Sequence, residues 1–99
     1  MIQRQEILNY LSSNTDFFYK QFSITKIGVF GSYARNEQTE NSDIDIIIEM
    51  PRGTEDIFEK KQGLREFLKT RFHREIDICR ESSIKPLFKE MILKDTIYV

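Results

Sequence analysis

The stretch ITKIGVFGSYARNEQTENSDIDIIIE, residues 24–49, contains the pattern that decides the fold. Residues 24–30 are rich in β-favouring side chains and end abruptly at Gly31-Ser32, which predicts a buried strand that enters a tight turn. After a polar loop, residues 43–49 are mostly isoleucine and predict a second strand, followed shortly by a proline and a glycine. The stretch therefore predicts two strands. The connection between them begins with a turn that could start a short helix and continues as a polar loop.

The segments on either side carry helical and strand patterns. Apolar residues recur at helical spacing, so helices are predicted over residues 2–11, 16–22, 55–70 and 86–94. Thr54 is the expected N-cap of the third helix, and Pro86 suits the first turn of the fourth. Further strands are predicted over residues 75–79 and, at a sheet edge, over residues 96–99. These elements predict an α+β fold, a small mixed sheet covered by helices on one side.

The composition indicates one globular domain over residues 1–99. Apolar residues make up 39% of the chain and aromatics 12%, enough to fill a single core, which argues against disorder. Fifteen basic and sixteen acidic residues leave a formal net charge of −1. This balance argues against a protein that binds duplex nucleic acid by neutralising many phosphates. A domain of this size would need another chain to grip a large acceptor.

Three features of the sequence favour a cytoplasmic location. Cys79 is the only cysteine, which excludes an internal disulfide. No positively charged leader with an apolar core precedes the first polar residues, and the longest apolar runs are far too short to span a bilayer. We therefore expect a cytoplasmic protein without membrane contact.

Aspartate is depleted in strands, yet three of the six aspartates fall in predicted strands. Because successive strand residues point to opposite faces, Asp43 and Asp45 share one face, with Cα atoms roughly 6.5 Å apart. Asp77, between two isoleucines of another predicted strand, can supply a third carboxylate. Carboxylates held side by side repel each other, and a cation between them relieves the repulsion. These three residues predict a site for magnesium, a hard ion that takes oxygen ligands.

The Gly31-Ser32 turn is a candidate phosphate site. Glycine lets the backbone approach a ligand, while a helix N-terminus and a serine hydroxyl present donors to phosphate oxygens. Arg35, about one helical turn further on, could reach the same anion, or could equally pin a carboxylate of the protein itself. A phosphate site and a carboxylate–metal site within residues 31–45 predict phosphoryl or nucleotidyl transfer.

Other chemically active side chains have simpler interpretations. His73 has no second His or Cys at metal-ligand spacing and is interpreted as a solvated loop histidine. Cys79 is interpreted as a small packing residue, on the face opposite Asp77 if the strand is regular. The pattern does not decide whether four phenylalanines belong to the core or to an exposed protein interface: Phe17, Phe18, Phe22 and Phe88.

Three motifs together resemble the DNA polymerase β nucleotidyltransferase superfamily: GSYAR at residues 31–35, SDIDI at 42–46 and EIDI at 75–78. That superfamily has a Gly-Ser after its first strand, an Asp-x-Asp on the second and a distal Asp. Within it, the chain most resembles the minimal nucleotidyltransferases, or MNT proteins, which are often encoded as antitoxins beside HEPN-domain toxins. Asn36 stands where the family commonly has glycine, and asparagine tolerates the left-handed turn nearly as well.

The resemblance implies a polymerase-β-like fold and a role for each site residue. Asp43 and Asp45 would hold magnesium, and Asp77 would complete the metal site and act as general base toward the acceptor hydroxyl. Gly31 and Ser32 would bind the triphosphate tail of ATP. In members that modify their toxin, AMP passes from ATP to a tyrosine of the HEPN partner and silences its RNase activity. The expectation is therefore a magnesium-dependent protein adenylyltransferase, an antitoxin that forms a hetero-oligomer with a HEPN-domain toxin.

Three rival functions are compatible with these motifs. An antitoxin could block its HEPN toxin by occlusion, without catalysis. A transferase of small molecules would need a second lobe to hold the acceptor, and an RNA-tailing enzyme finds little support in the near-neutral charge. The base preference, the number of nucleotides added and the acceptor residue are left open.

Overall fold

A four-stranded sheet forms the centre of the computed structural model, which describes residues 2–99. The strands are β1 (Lys26–Phe30), β2 (Ile44–Glu49), β3 (Ile76–Arg80) and β4 (Ile97–Tyr98). Their order in the sheet is β3-β2-β1-β4. β1 pairs antiparallel with β2 and with β4, whereas β2 and β3 are parallel. The mixed sheet and the edge position of the last strand confirm the sequence prediction.

In the described part of the chain, residues 2–99, five α-helices pack around this sheet. They are α1 (Arg4–Ser13), α2 (Thr15–Phe22), α3 (Gly31–Ala34), α4 (Ile57–Phe72) and α5 (Pro86–Asp95). All four predicted helices are present with slightly shifted ends, Pro86 lies in the first turn of α5, and the turn after β1 does begin the short helix α3. Among residues 2–99, no helix combines the length and the apolar character needed to cross a bilayer.

The start of α4 differs from the prediction. Thr54 does not cap the helix, because its hydroxyl donates a hydrogen bond to the carbonyl oxygen of Pro51 in the preceding turn. Asp56 occupies the cap position in a left-handed conformation (φ 55°) without a side-chain cap hydrogen bond, and the helix begins at Ile57. The threonine hydroxyl therefore stabilises the turn, which delays the helix.

One face of the sheet forms the core with α1, α2 and α4. Alternate strand residues point to this face and pair in register, as Val29 does with Ile46 and Ile46 with Ile78. The helices cover them with buried residues that include Leu11, Phe18 and Leu68. Of the four phenylalanines that the sequence left open, Phe18 and Phe22 belong to this core, whereas Phe17 and Phe88 are exposed.

α5 lies over the opposite face. That face carries the other alternate residues of the strands: Phe30, Asp45, Ile47, Asp77 and Cys79. α5 contacts β1 and α3, and its residues Phe88 and Ile92 line a cleft together with Asp77. The prediction that helices cover only one side of the sheet is therefore wrong. The 3-10 turn Glu81–Ser83 carries the chain across the end of β3, so that α5 returns on the side of Asp77.

The edge strand β4 is held in place by Tyr98. Its hydroxyl donates a hydrogen bond to Glu81. Lys26 also contacts Glu81, with its Nζ 3.1 Å from Oε1, and lies 4.6 Å from the centroid of the Tyr98 ring. β4 passes so close to Gly28 that a Cβ there would lie 2.6 Å from the carbonyl oxygen of Ile97. The pairing of β1 with β4 therefore requires a glycine at this position.

Candidate active site

Two of the three predicted carboxylates face each other across β2 and β3. Asp45 pairs with Asp77 in the parallel register, on the face away from the core. Paired strands lie about 4.8 Å apart, so the two side chains project from neighbouring points of the sheet. Asp43 lies just before the first residue of β2, and its negative charge acts on Asp45. The structure therefore brings the two acidic motifs together.

The carboxyl group of Asp45 is electrostatically perturbed. Its pKa is raised from 3.8 to about 6, mainly by burial and then by the negative charges of Asp77 and Asp43. The positive charge of Arg35 acts in the opposite direction but is the smallest of the four effects. A half-buried carboxyl with such a pKa is typical of a functional site.

The donor set fits a hard divalent cation. Within residues 2–99, Asp43, Asp45 and Asp77 form no ion pair with lysine, arginine or histidine. Nowhere in residues 2–99 are three His, Cys, Asp or Glu side chains already close enough together to bind a metal ion. Unpaired carboxylate oxygens that repel one another suit an oxygen-preferring cation, which would lower the repulsion and draw the side chains together.

The Gly31 turn lies directly against Asp45. Gly31 has a φ of +70°, in the left-handed region that residues with a Cβ rarely adopt. A Cβ at this position would lie 2.0 Å from Oδ2 of Asp45. Because β1 ends opposite Asp45, with Phe30 as its partner in the register, the turn that follows passes over the carboxylate. Position 31 must therefore be glycine for both reasons, conformation and space.

The residues after this turn have distinct environments. Ser32 is half-buried in the short helix α3. Asn36 adopts a φ of 58°, which confirms that asparagine takes the left-handed conformation here. Arg35 donates from Nε to Oε1 of Glu37 at 2.9 Å, and its Nη1 lies 4.0 Å from Oδ2 of Asp95. Arg35 is thus held by two carboxylates at the surface, while its charge still reaches Asp45.

A cleft of about 320 Å³ adjoins Asp77 and contains residues that sequence reasoning missed. Besides Asp77 it is lined by Phe30, Cys79, Ser83, Ile84, Lys85, Phe88 and Ile92. No local motif marks Lys85 or Phe88 as parts of a site, because only the path of the chain after β3 brings them there. Cys79 lies on the same face as Asp77, so the opposite-face interpretation is wrong. Burial, and then the charge of Asp77, raise the pKa of its thiol, which disfavours the nucleophilic thiolate.

A second cleft, of about 440 Å³, lies beside Asp43. Lys69, His73 and Arg74 contribute basic groups, but Lys69 is paired with Glu75 at 3.0 Å. His73 is exposed and ends α4 in a left-handed conformation (φ 56°), as expected of a loop histidine. Acidic residues of this cleft, Glu40 and Glu75 among them, offset the basic ones, so it has no strong preference for an anion.

Comparison with known families is consistent with this geometry. Residues 8–99 match the model of the nucleotidyltransferase domain family. The protein adenylyltransferase MntA of Thermococcus cleftensis is 32% identical over 99 residues, which cover 100% of this chain and 98% of that protein.

Solved structures share the fold. A minimal nucleotidyltransferase superposes with a TM-score of 0.79 at 22% identity, covering 97% of this chain and 95% of the other. A toxin–antitoxin crystallised with AMP-PNP gives a TM-score of 0.67 at 21% identity, covering 98% of this chain and 72% of the other. At these identities the likeness concerns the fold alone.

Proposed function

Because this chain belongs to the nucleotidyltransferase domain family, and within it to the minimal nucleotidyltransferases, we propose that it transfers AMP from ATP to a protein hydroxyl. The observation that carries this proposal is the position of Asp45, which lies opposite Asp77 and beneath the Gly31 turn. One small region thus combines acidic metal ligands with a backbone turn suited to phosphate. Such a combination fits nucleotidyl transfer, where catalysis consists mainly of positioning and of neutralising charge.

In the proposed reaction, the acceptor oxygen attacks the α-phosphorus of ATP. The bond from that phosphorus to its bridging oxygen breaks, pyrophosphate leaves, and the hydroxyl proton passes to a carboxylate. Asp77, which is exposed on the face of the cleft, is suited to accept this proton. Magnesium bound by Asp43, Asp45 and Asp77 would neutralise the charge on the phosphate oxygens. The backbone at Gly31 and the Ser32 hydroxyl would hold the triphosphate.

The proposed acceptor is a tyrosine of a HEPN-domain toxin, which makes the chain an antitoxin that acts within a hetero-oligomer. Two relatives support this choice. One is named as a protein adenylyltransferase, and a structural neighbour is a toxin–antitoxin with AMP-PNP. ATP is accordingly the proposed donor. Asp45, with a pKa of about 6, is mostly ionised at neutral pH, so the proposed site has the negative charge that it needs there.

The intact mass of the cognate HEPN-domain protein tests this function. After incubation with the chain, ATP and magnesium, we expect the partner to gain one or more AMP units. The Asp43→Asn/Asp45→Asn form should give no gain. An unchanged mass, together with a complex in which the double variant still silences the partner, would instead support neutralisation by occlusion.

Arg35 is proposed to contact the nucleotide, and a matched pair of variants tests it. Arg35→Ala should raise the KM for ATP about tenfold, the usual effect of losing a charge-assisted hydrogen bond to phosphate. Glu37→Ala removes the main partner of Arg35, leaves only the longer contact with Asp95 and keeps the guanidinium, so it should not raise this KM. Steady-state kinetics decide the question. An unchanged KM in Arg35→Ala, with a lower midpoint of thermal unfolding, would mean that Arg35 only pins Glu37 and Asp95.

A further inference from the structure

Helix α5 presents an apolar ridge to solvent. None of its ten residues is buried. Leu87 is 81% exposed, Met91 69% and Phe88 47%. Met91 lies four positions after Leu87 and three after Phe88, and these spacings place side chains next to each other on a helix. The three residues therefore form one surface, here called the α5 ridge. Single exposed apolar residues are ordinary, but three that share one part of a helix surface mark a contact surface.

The α5 ridge continues into the cleft that contains Asp77. Phe88 belongs to both, because it is half-exposed on the ridge and also lines the cleft. Asp77 lines the same cleft from the sheet side. A protein segment bound along the ridge would therefore reach the carboxylate that takes the proton from the acceptor hydroxyl.

Three lysines lie in or next to α5. Lys85, Lys89 and Lys94 are exposed, and within residues 2–99 none of them forms an ion pair. Of the two acidic residues of the helix, Asp95 already faces Arg35, and Glu90 is exposed three residues after Leu87. The ridge is thus apolar at its centre, and three lysines against one remaining carboxylate give its surroundings a net positive charge. Its electrostatic complement is a partner surface with an apolar centre and acidic residues around it.

We infer that the α5 ridge is the docking surface for the protein acceptor, and that the bound partner inserts its hydroxyl-bearing side chain into the cleft beside Asp77. This inference rests on the proposed function, since it assigns the acceptor side of the same site. The partner segment that it specifies carries apolar anchors with acidic neighbours next to the modified residue. ATP lies on the side of the Gly31 turn, so acceptor and nucleotide approach the carboxylates from different directions.

The test compares Leu87→Asp/Met91→Asp with Phe58→Asp. Phe58 is 76% exposed at the start of α4 and belongs to neither the ridge nor the cleft, which makes it a matched control for adding charge to an exposed apolar position. The probe is the HEPN-domain protein of the mass experiment. For the ridge variant we expect its Kd and its rate of modification to worsen at least about tenfold, as for loss of interface anchors. The control, and the affinity of each form for AMP-PNP, should stay unchanged.

The outcomes separate this inference from the proposed function. If the unmodified chain binds the partner but transfers no AMP, the proposed function fails, while the change in Kd still decides the role of the ridge. An unchanged Kd in the ridge variant overturns the inference. So does sedimentation showing that the chain alone dimerises through the ridge. If the aspartates lower the thermal midpoint, Leu87→Ser/Met91→Ser gives the same comparison with milder substitutions.

Discussion

Asp45→Asn is expected to abolish AMP transfer while making the free protein more stable. Transfer should fall by roughly 10³-fold, because the site loses a charge that would hold magnesium against the phosphates. Stability should rise, because the same charge is half-buried and repelled by Asp77 and Asp43. The two effects have opposite signs, which distinguishes a functional carboxylate from one that supports the fold.

The pH dependence of the stability gain follows from the raised pKa. The unfolded chain ionises Asp45 near 3.8 and the folded chain near 6, so stability is lost as the pH rises between these values. Above pH 7 the penalty is complete, about 1–2 kcal/mol once solvent screening at a half-buried position is allowed for. Urea unfolding in EDTA should therefore show the gain for Asp45→Asn at pH 8, and little of it at pH 4.

A matched control removes an exposed carboxylate away from the candidate site. Glu55→Gln changes an exposed acidic residue outside both clefts and should alter neither activity nor the difference between the two pH values. Magnesium should raise the thermal midpoint of the unmodified chain and leave that of Asp45→Asn nearly unchanged. If Asp45→Asn is less stable than the unmodified chain at pH 8, the Asp45 charge stabilises the fold, which would contradict this prediction.

Gly31→Ala is expected to cause the largest loss of stability, together with loss of activity. The new Cβ would occupy the position of the Asp45 carboxylate, 2.0 Å from Oδ2, and would also strain a backbone with φ +70°. The left-handed conformation costs about 1–2 kcal/mol for a residue with a Cβ, and overpacking adds about 1–3 kcal/mol. We therefore expect a free energy of unfolding lower by about 2–5 kcal/mol, measured by urea denaturation. Transfer of AMP should fall at least about a hundredfold, because the turn and Asp45 must separate.

Gly53→Ala isolates the backbone part of this effect. Gly53 also has a positive φ, +84°, but a Cβ there would meet nothing within 4 Å. Its replacement should cost only the conformational strain and leave activity intact. The difference between the two alanine variants therefore measures the contact between the turn and Asp45. Equal stability losses, with activity retained in Gly31→Ala, would contradict the arrangement described here.

Local periodicity was enough to predict most elements of the fold. Two isoleucine-rich or β-favouring runs bounded by turn residues became β1 and β2, and helical spacing located the four longer helices. These predictions succeed because side-chain period and turn chemistry are properties of short segments. The same reasoning placed Asp45 and Asp77 on strands. It failed at Thr54, because a hydroxyl has two possible backbone partners, a turn carbonyl and a helix N–H, and the sequence does not choose between them.

Only the tertiary structure decided which of these residues become neighbours. A strand pattern specifies the face on which Asp45 lies, but the parallel register that sets it opposite Asp77 depends on burying the isoleucines of both strands together. The sequence predicted a turn at Gly31. It did not predict that this glycine leaves space for the Asp45 carboxylate. The apolar residues of α5 have the helical spacing that is typical of a helix packed against a core. That the helix lies over the second face and leaves Leu87 and Met91 in solvent follows from the path of the chain after β3, and long-range packing of this kind has no signature in a short window of sequence.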